Sequence, residues 1–229
     1  MEGRIHTDRR YEAELKSLHV KILEMGGFVE KQIAGAVAAL VSRDDAQARL
    51  IIERDHAINR IDVEIDELCL RLLALHQPAG RDLRLITTGL KITTDLERVG
   101  DMAVNVCERA LDLNREPQLK PFIDIPRMAE VAQRMLRESL DSFVREDVEA
   151  ALGVCREDDV IDALTAQLFN ELLTFMIRDP QTISRTIPLL FIAKYLERIG
   201  DHATNIAEMV VFMVKGKSIR HMDQVPPSV

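Results

Sequence analysis

The side chains best suited to chemistry are two pairs of carboxylates, Glu97 with Asp101 and Glu197 with Asp201, which occupy equivalent places in a repeated segment. The members of each pair are four residues apart, so on a helix they lie on the same side and their like charges repel each other. A bound cation relieves that repulsion, and carboxylate oxygens are hard ligands that suit magnesium, manganese, calcium and oxidised iron. The spacing therefore predicts a cation site in each copy of the segment.

Further oxygen donors stand upstream of each pair. Asp55 and Asn59 precede the first pair, and Asp158 and Asp162 precede the second at an offset of 103 residues. If these side chains face the carboxylate pairs, each copy holds a cluster of oxygen donors. Asn59 stands where the second copy has a carboxylate, and an amide carries no charge. We therefore expect the second cluster to bind a cation more tightly.

The same residues have a second interpretation as a solvated helix face, in which Arg98 and Arg198 pair with neighbouring carboxylates. Gly100 and Gly200 lie within the same helical pattern at a cost of about 1 kcal/mol each relative to alanine. A glycine inside a helix permits the close approach of a neighbouring helix or of a ligand. Of these two roles, packing is the one that we favour.

The repeat also predicts the fold. Segments 96–108 and 196–208 are identical at eight of thirteen positions, and apolar residues recur with helical rather than strand-like period. Because the connections are short, consecutive helices are expected to be antiparallel neighbours. We predict an all-α fold of two tandem antiparallel three-helix bundles, in residues 1–116 and 117–217, with a disordered tail at 218–229. The predicted helices are 8–42, 45–76, 81–114, 124–145, 147–178 and 182–216.

The composition limits the location and partners. The net charge is −8 and the pI is about 5.3, so the chain repels nucleic-acid phosphates and anionic lipids. No apolar run approaches the roughly 20 residues that span a bilayer, and the N-terminal segment lacks an apolar signal region. Three cysteines without a Cys-x-x-Cys motif suit reduced thiols. We therefore expect a cytoplasmic protein without membrane insertion and without a nucleic-acid partner.

Motifs of catalysis are missing from the sequence. It has no P-loop, no Gly-x-Ser-x-Gly elbow, no Gly-x-Gly-x-x-Gly turn and no zinc-finger spacing. Glu53 and His56 form one Glu-x-x-His pair, whereas a carboxylate-bridged di-iron bundle needs two. We predict no catalytic residue and no organic cofactor. A metal-dependent enzyme or a metal-storage helical bundle remains an alternative interpretation of the carboxylate clusters.

Three segments carry a family resemblance: Asp-Leu-Glu-Arg-Val-Gly-Asp at 95–101, Tyr-Leu-Glu-Arg-Ile-Gly-Asp at 195–201, and Arg-Asp-Leu-Arg at 81–84. With these segments the chain resembles the PhoU family from residue 8 to residue 216. The resemblance implies a non-enzymatic adaptor that represses the phosphate-starvation response. Its implied partners are the ATPase subunit of the phosphate ABC transporter, a sensor histidine kinase and a second copy of the chain in a homodimer.

The resemblance also implies metal binding. Some family members bind iron or zinc clusters through Glu/Asp-x-x-x-Asp motifs, so the expected cofactors are divalent or trivalent ions such as iron, zinc, manganese or magnesium. On the second helix the motif departs from the family pattern, because Asn59, four residues after Asp55, stands where the motif has a second carboxylate. The motif is matched fully by three pairs: Glu97 with Asp101, Glu197 with Asp201, and Asp158 with Asp162.

Overall fold

The computed structural model describes the backbone of residues 2–219 and the side chains of residues 9–219. This part of the chain is almost wholly helical and contains no β-strand. The predicted tail lies outside the described residues from residue 220 onward. The helices are α1 (Glu2–Ser42), α2 (Asp45–Arg54), α3 (His56–His76), α4 (Gly80–Leu113), α5 (Asp124–Arg145), α6 (Val148–Arg178) and α7 (Ile183–Lys215), with a short 3-10 turn (Pro180–Thr182) before α7.

The helices form two bundles with aliphatic cores. In the first bundle α1 packs against α2, α3 and α4, and in the second α5, α6 and α7 pack against one another. Since the sequence has no tryptophan and only 4% aromatic residues, Leu, Ile, Val, Ala and Met fill most of the interior. The predicted fold class, two three-helix bundles related by an internal repeat, is confirmed.

Two aspartates begin equivalent helices in the two bundles. Asp44 caps α2 and Asp147 caps α6, each accepting a hydrogen bond from the backbone N–H three residues further on, at 2.9 and 3.1 Å. The residues before these caps, Arg43 and Glu146, have positive φ angles of 57° and 53°, which ends the preceding helix. Turn and cap thus recur together at an offset of 103 residues, and the helix start that the sequence predicts at 44–45 is confirmed.

The second predicted helix is wrong in one respect. The sequence pattern predicts a single helix over 45–76, whereas Asp55 interrupts it between α2 and α3. The Asp55 backbone is still helical, with φ −56° and ψ −31°, but its N–H bonds to the carbonyl of Ile52, three residues back. This tighter 3-10 bond interrupts the α-helical pattern. Neither proline nor glycine stands there, so the sequence carries no sign of the interruption.

The cysteines behave as the composition predicts for reduced thiols. Cys69, Cys107 and Cys155 are all free, and the first two are buried. Burial is the main cause that raises the pKa of each thiol to about 12. Because the thiolate is the reactive form of cysteine, a raised pKa leaves these side chains as protonated thiols of low reactivity at neutral pH.

Contacts between the bundles run along two pairs of helices, α4 with α7 and α1 with α5. Arg84 on α4 donates through Nε to the carbonyl oxygen of Met213 on α7 at 2.9 Å. On the other side, Gly26 of α1 leaves room for Leu140 of α5, whose Cδ1 atom would overlap a Cβ built on Gly26. The close approach of α1 and α5 therefore depends on the missing side chain.

We predict that Gly26→Val lowers the free energy of unfolding by about 1–3 kcal/mol, because the new side chain overpacks the contact with Leu140. The adjacent Gly27 is the matched control, since a Cβ built on it meets no atom within 4 Å. Gly27→Ala should raise stability by up to about 1 kcal/mol through helix propensity alone. Urea unfolding followed by circular dichroism measures both, and equal effects of the two changes would contradict the described packing.

Candidate metal centres

Two glycines bring the carboxylate-bearing helices together. A Cβ built on Gly100 would lie 3.3 Å from Cδ1 of Ile58 on α3, and one built on Gly200 would lie 3.0 Å from Cγ2 of Ile161 on α6. These contacts are tighter than ordinary van der Waals contact, so even an alanine Cβ would require the facing isoleucine to shift, and this gives a reason for glycine in the middle of α4 and α7 despite its low helix propensity. The contacts therefore support the packing role of both glycines.

The first acidic cluster is centred on Asp55, at the interruption between α2 and α3. Its Oδ1 accepts a hydrogen bond from Gln32 Nε2 on α1, and its Oδ2 accepts one from Asn59 Nδ2, both at 3.1 Å. Gln32 is buried. Two amide groups thus satisfy both oxygens of this carboxylate.

Glu97 and Asp101 on α4 face this cluster. Arg98 pairs with both, its Nε 3.4 Å from Glu97 and its Nη1 3.4 Å from Asp101, as the solvated-face interpretation predicts. The pKa of Glu97 is nevertheless raised, mainly by burial and then by the charge of Asp101, with further contributions from Asp62 and Asp55 against the opposing effect of Arg98. The carboxylates of α3 and α4 are therefore close enough to repel one another.

The second acidic cluster contains all four residues that the sequence predicts for it, Asp158 and Asp162 on α6 and Glu197 and Asp201 on α7. Burial, followed by the charges of Asp201 and Asp162, raises the pKa of Asp158 from 3.8 to about 6. Burial and the charge of Glu197 also raise the pKa values of Asp162 and Asp201. Each carboxylate therefore resists ionisation of its neighbours.

The two clusters differ in how far their negative charge is compensated. Lys194 Nζ lies 2.5 Å from Glu197 Oε2, as an ion pair that lacks the alignment of a hydrogen bond. Thr204 Oγ1 donates to Asp158 at the long distance of 3.4 Å. In the first cluster, by contrast, two well-placed amides donate to Asp55. The second cluster, with its additional carboxylate at Asp162, therefore carries more uncompensated charge.

The donors fit a cation in their chemistry but are not yet gathered around one point. Among the side chains of residues 9–219, no group of three or more His, Cys, Asp or Glu residues is arranged so that it could hold a metal ion. Each cluster offers hard carboxylate oxygens that repel one another, which is the donor set that hard cations prefer. Side-chain rotation would therefore have to complete either site. The residues that would hold a cation are Asp55, Asn59, Glu97 and Asp101 in the first cluster, and Asp158, Asp162, Glu197 and Asp201 in the second.

Sequence reasoning missed the residues that border the clusters. Gln32 reaches Asp55 from a different helix, and its spacing in the sequence gives no sign of that contact. His202 stands beside Asp201 in the sequence, which makes it a possible extra ligand, but its contact with Asp95 could not be predicted: Nδ1 lies 2.7 Å from Asp95 Oδ1 across the contact between α4 and α7. Lys194 is the exception, because its position three residues before Glu197 on one helix could have signalled the ion pair.

The fold and its two clusters define a class of protein, a duplicated three-helix bundle with one acidic cluster in each repeat. Comparison with known families identifies this class. The PhoU domain matches residues 22–110 and, a second time, residues 125–210. The chain belongs to the PhoU family.

Individual relatives agree along nearly the whole chain. The phosphate-specific transport system accessory protein PhoU homolog of Pseudomonas putida is 40% identical over 218 residues, which cover 95% of this chain and 85% of that protein. The crystal structure of PhoU from Pseudomonas aeruginosa is 41% identical with a TM-score of 0.87, covering 90% of this chain and 100% of that one. The phosphate transport system regulatory protein PhoU from Streptococcus pneumoniae is 32% identical with a TM-score of 0.86, covering 91% and 99%. These homologues are accessory and regulatory proteins of phosphate transport.

We predict that Asp158→Asn stabilises the metal-free protein at pH 8 and has little effect at pH 4. Because the folded-state pKa of Asp158 is raised to about 6, ionisation destabilises the fold, and stability falls as the pH rises from about 4 through 6. The gain at pH 8 should be about 1 kcal/mol, since solvent screens this partly exposed group. Urea unfolding in the presence of a chelator measures it.

The exposed neighbour Asp159 provides the control for this experiment. Asp159→Asn removes the same charge from the same helix but leaves all four carboxylates of the second acidic cluster in place, so its effect on stability should be smaller at pH 8. A gain in stability that is equal for both variants, or that is independent of pH, would show that net charge rather than the cluster is responsible.

Proposed function

We propose that this chain is a cytoplasmic, non-enzymatic regulator of phosphate uptake and phosphate-starvation signalling. In this proposal it acts as an adaptor between the ATPase subunit of the phosphate ABC transporter and a sensor histidine kinase. Its relatives are named as accessory proteins of phosphate-specific transport, which supports the link to the transporter. An adaptor needs an exposed surface that binds a partner, and the observation that carries the proposal is such a surface on the second bundle.

This surface lies on the outer faces of α6 and α7. Large apolar side chains recur on it every four residues along each helix, which places them in two rows, and they are 38% to 73% exposed. Phe169, Ile187 and Phe191 line a shared groove of about 360 Å³. Contiguous exposed apolar surface of this kind marks interaction sites. We call it the α6–α7 apolar surface, and it consists of Phe169, Leu173, Ile177, Ile183, Ile187 and Phe191.

The α6–α7 apolar surface also accounts for the apolar character of α6. Among the described helices, α6 is long and apolar enough, by length and composition alone, to cross a membrane, yet only 22% of its apolar window is buried within the protein. The helix packs against α5 and α7 as part of the second bundle. We therefore propose that its exposed side faces a protein partner rather than lipid.

A groove between two helices suits an amphipathic helix, whose apolar residues at i, i+3, i+4 and i+7 can enter it. We assign this role to a helix of the transporter ATPase subunit. We also propose, on the family resemblance, that the chain is a homodimer, whose mass light scattering can measure. A change of oligomeric state on mutation of the α6–α7 apolar surface would assign that surface to the dimer instead.

We predict that Phe191→Asp abolishes repression of the phosphate-starvation genes in a deletion strain supplied with abundant phosphate. A charge in the groove removes the apolar contact and leaves an unpaired carboxylate against the partner. The same variant should fail to co-purify with the transporter ATPase subunit. Reporter expression and co-purification from cells are the two measurements.

Leu70→Asp on α3 is the matched control, because Leu70 is also exposed, at 62%, but belongs to the first bundle. It should leave repression and co-purification intact. Normal repression by the Phe191→Asp variant, with the ATPase subunit still bound, would refute the docking role of this surface.

We propose in addition that each acidic cluster binds one or more divalent or trivalent cations. The support is that the pKa values of Glu97, Asp158, Asp162 and Asp201 are raised, mainly by burial and then by the charges of neighbouring carboxylates. A bound cation would draw these oxygens together and take the place of the protons that the raised pKa values favour. Iron, zinc, manganese and magnesium are the candidates on the family resemblance.

We predict that Asp201→Ala lowers the metal content of the protein more than Asp101→Ala does, because the second cluster has more uncompensated charge. Glu108→Ala is the control, since Glu108 lies on α4, is exposed and pairs with Arg109. Titration of metal-free protein with manganese, iron and zinc ions decides the matter. Affinities weaker than about millimolar for every ion, the range of the weakest calcium modules, would refute the proposal.

A further inference from the structure

A cleft in the first bundle is separate from the α6–α7 apolar surface. It has a volume of about 310 Å³ and opens between α1 and the junction of α2 with α3. Phe28, Ile51 and Ile58 form much of its apolar wall. The buried side chain of Gln32 also lines it. This volume lies within the range of pockets that hold small molecules.

The polar rim of the cleft consists of two cations, Lys31 and Arg54. Neither side chain forms an ion pair or a hydrogen bond with any other side chain of residues 9–219. The Lys31 ammonium lies 6.0 Å from the ring centroid of Phe28. Both side chains are exposed. In a chain whose net charge is −8, two unpaired cations beside one apolar cleft are an unusual concentration of positive charge.

The second bundle provides an internal comparison, because its α5 and α6 repeat this part of the first bundle at an offset of 103 residues. At that offset Lys31 corresponds to Arg134, whereas Arg54 corresponds to an acid, Glu157. Arg134 donates to Glu157 through Nε at 2.8 Å and again through Nη2, which joins the two helices by a bidentate ion pair. The position that is open and doubly positive in the first bundle is therefore bridged and neutral in the second.

Burial of the neighbouring side chains follows the same contrast. Phe28 is 42% exposed, whereas its counterpart Val131 is 5% exposed. Ile51 is partly exposed in the wall of the cleft, and its counterpart Val154 is fully buried. The repeat therefore shows what this interface looks like when it is closed. In the first bundle, where Arg54 stands in place of the acid, the corresponding contact is open.

We propose that this cleft binds a small amphiphilic anion, with its apolar body against Phe28, Ile51 and Ile58 and its anionic head between Lys31 and Arg54. Phosphate monoesters and carboxylates with a short hydrocarbon or aromatic body share this chemistry. An apolar body gains by leaving water, and the two cations give the anionic head charge-assisted hydrogen bonds. Tight binding requires both parts of the ligand. The two exposed cations of the rim are solvated and bind a bare anion weakly, and the apolar wall does not distinguish an anion from a neutral molecule.

Titration calorimetry with n-octyl phosphate, below its micelle concentration, tests the proposal on the full chain. Inorganic phosphate and 1-octanol are the two half-ligands, and we expect each to bind at least about tenfold more weakly than the whole probe. Methyl NMR signals of Ile51 and Ile58 should shift on binding, which places the probe in the cleft rather than in the groove of the second bundle. Binding of either half-ligand as tightly as octyl phosphate would overturn the proposal.

Two variants extend the test. Arg54→Glu recreates the charges of the second bundle and should weaken octyl phosphate binding at least about tenfold, because Lys31 then pairs with the new carboxylate. Arg54→Gln, which is less drastic, should weaken it severalfold, and circular dichroism checks that both variants are folded. The control Arg134→Gln removes one positive charge from the second bundle, at the counterpart of Lys31, and should leave affinity unchanged. Equal loss in Arg134→Gln and Arg54→Gln, or unshifted Ile51 and Ile58 methyl signals, would refute the site.

Discussion

The close approach of helices at Gly100 and Gly200 is the constraint on which both acidic clusters depend. Each glycine leaves room for an isoleucine of the neighbouring helix, Ile58 or Ile161. A side-chain carbon of that isoleucine lies 3.0–3.3 Å from the position that a Cβ on the glycine would occupy. Since Asp55 and Asp158 stand three residues before those isoleucines, the same contact carries their carboxylates against the acidic residues of α4 and α7. A glycine inside a helix costs about 1 kcal/mol of stability relative to alanine, and the close contact that it permits is what brings the carboxylates of each cluster together.

Because the chain contains two copies of one three-helix unit, the differences between the two acidic clusters are informative. Gln32 and Asn59 donate to Asp55 in the first bundle, so both oxygens of that carboxylate are stabilised by hydrogen bonds from amides. The second bundle has Asp162 in place of the amide at Asn59 and leaves the charge of Asp158 poorly compensated. Duplication has therefore produced two sites that share a backbone but differ in their demand for positive charge.

Features encoded by residues close in sequence could be predicted, and features that join distant helices could not. Helix periodicity, the helix start at residue 45 and the repeated carboxylate pairs are local, so the sequence reveals them. The contact of Gln32 with Asp55 and the α6–α7 apolar surface depend on which helices become neighbours. The interruption at Asp55 also escapes prediction, since one tighter backbone hydrogen bond needs no proline or glycine. Metal binding by the clusters stays a prediction, as the carboxylates are near one another without converging.

The raised pKa values connect stability, pH and ligand binding in one argument. A folded state that holds Asp158, Asp162 and Asp201 together is one that prefers a positive charge among them, and a proton and a metal ion compete for that place. At neutral pH few protons are available, so the repulsion between the carboxylates destabilises the fold, and a bound cation would relieve that repulsion. Such a cation would stabilise the second bundle by an amount that grows with the logarithm of its concentration over its dissociation constant. Since α6 and α7 carry both this cluster and the α6–α7 apolar surface, occupancy of the cluster would also stiffen the helices on which we propose that a partner docks.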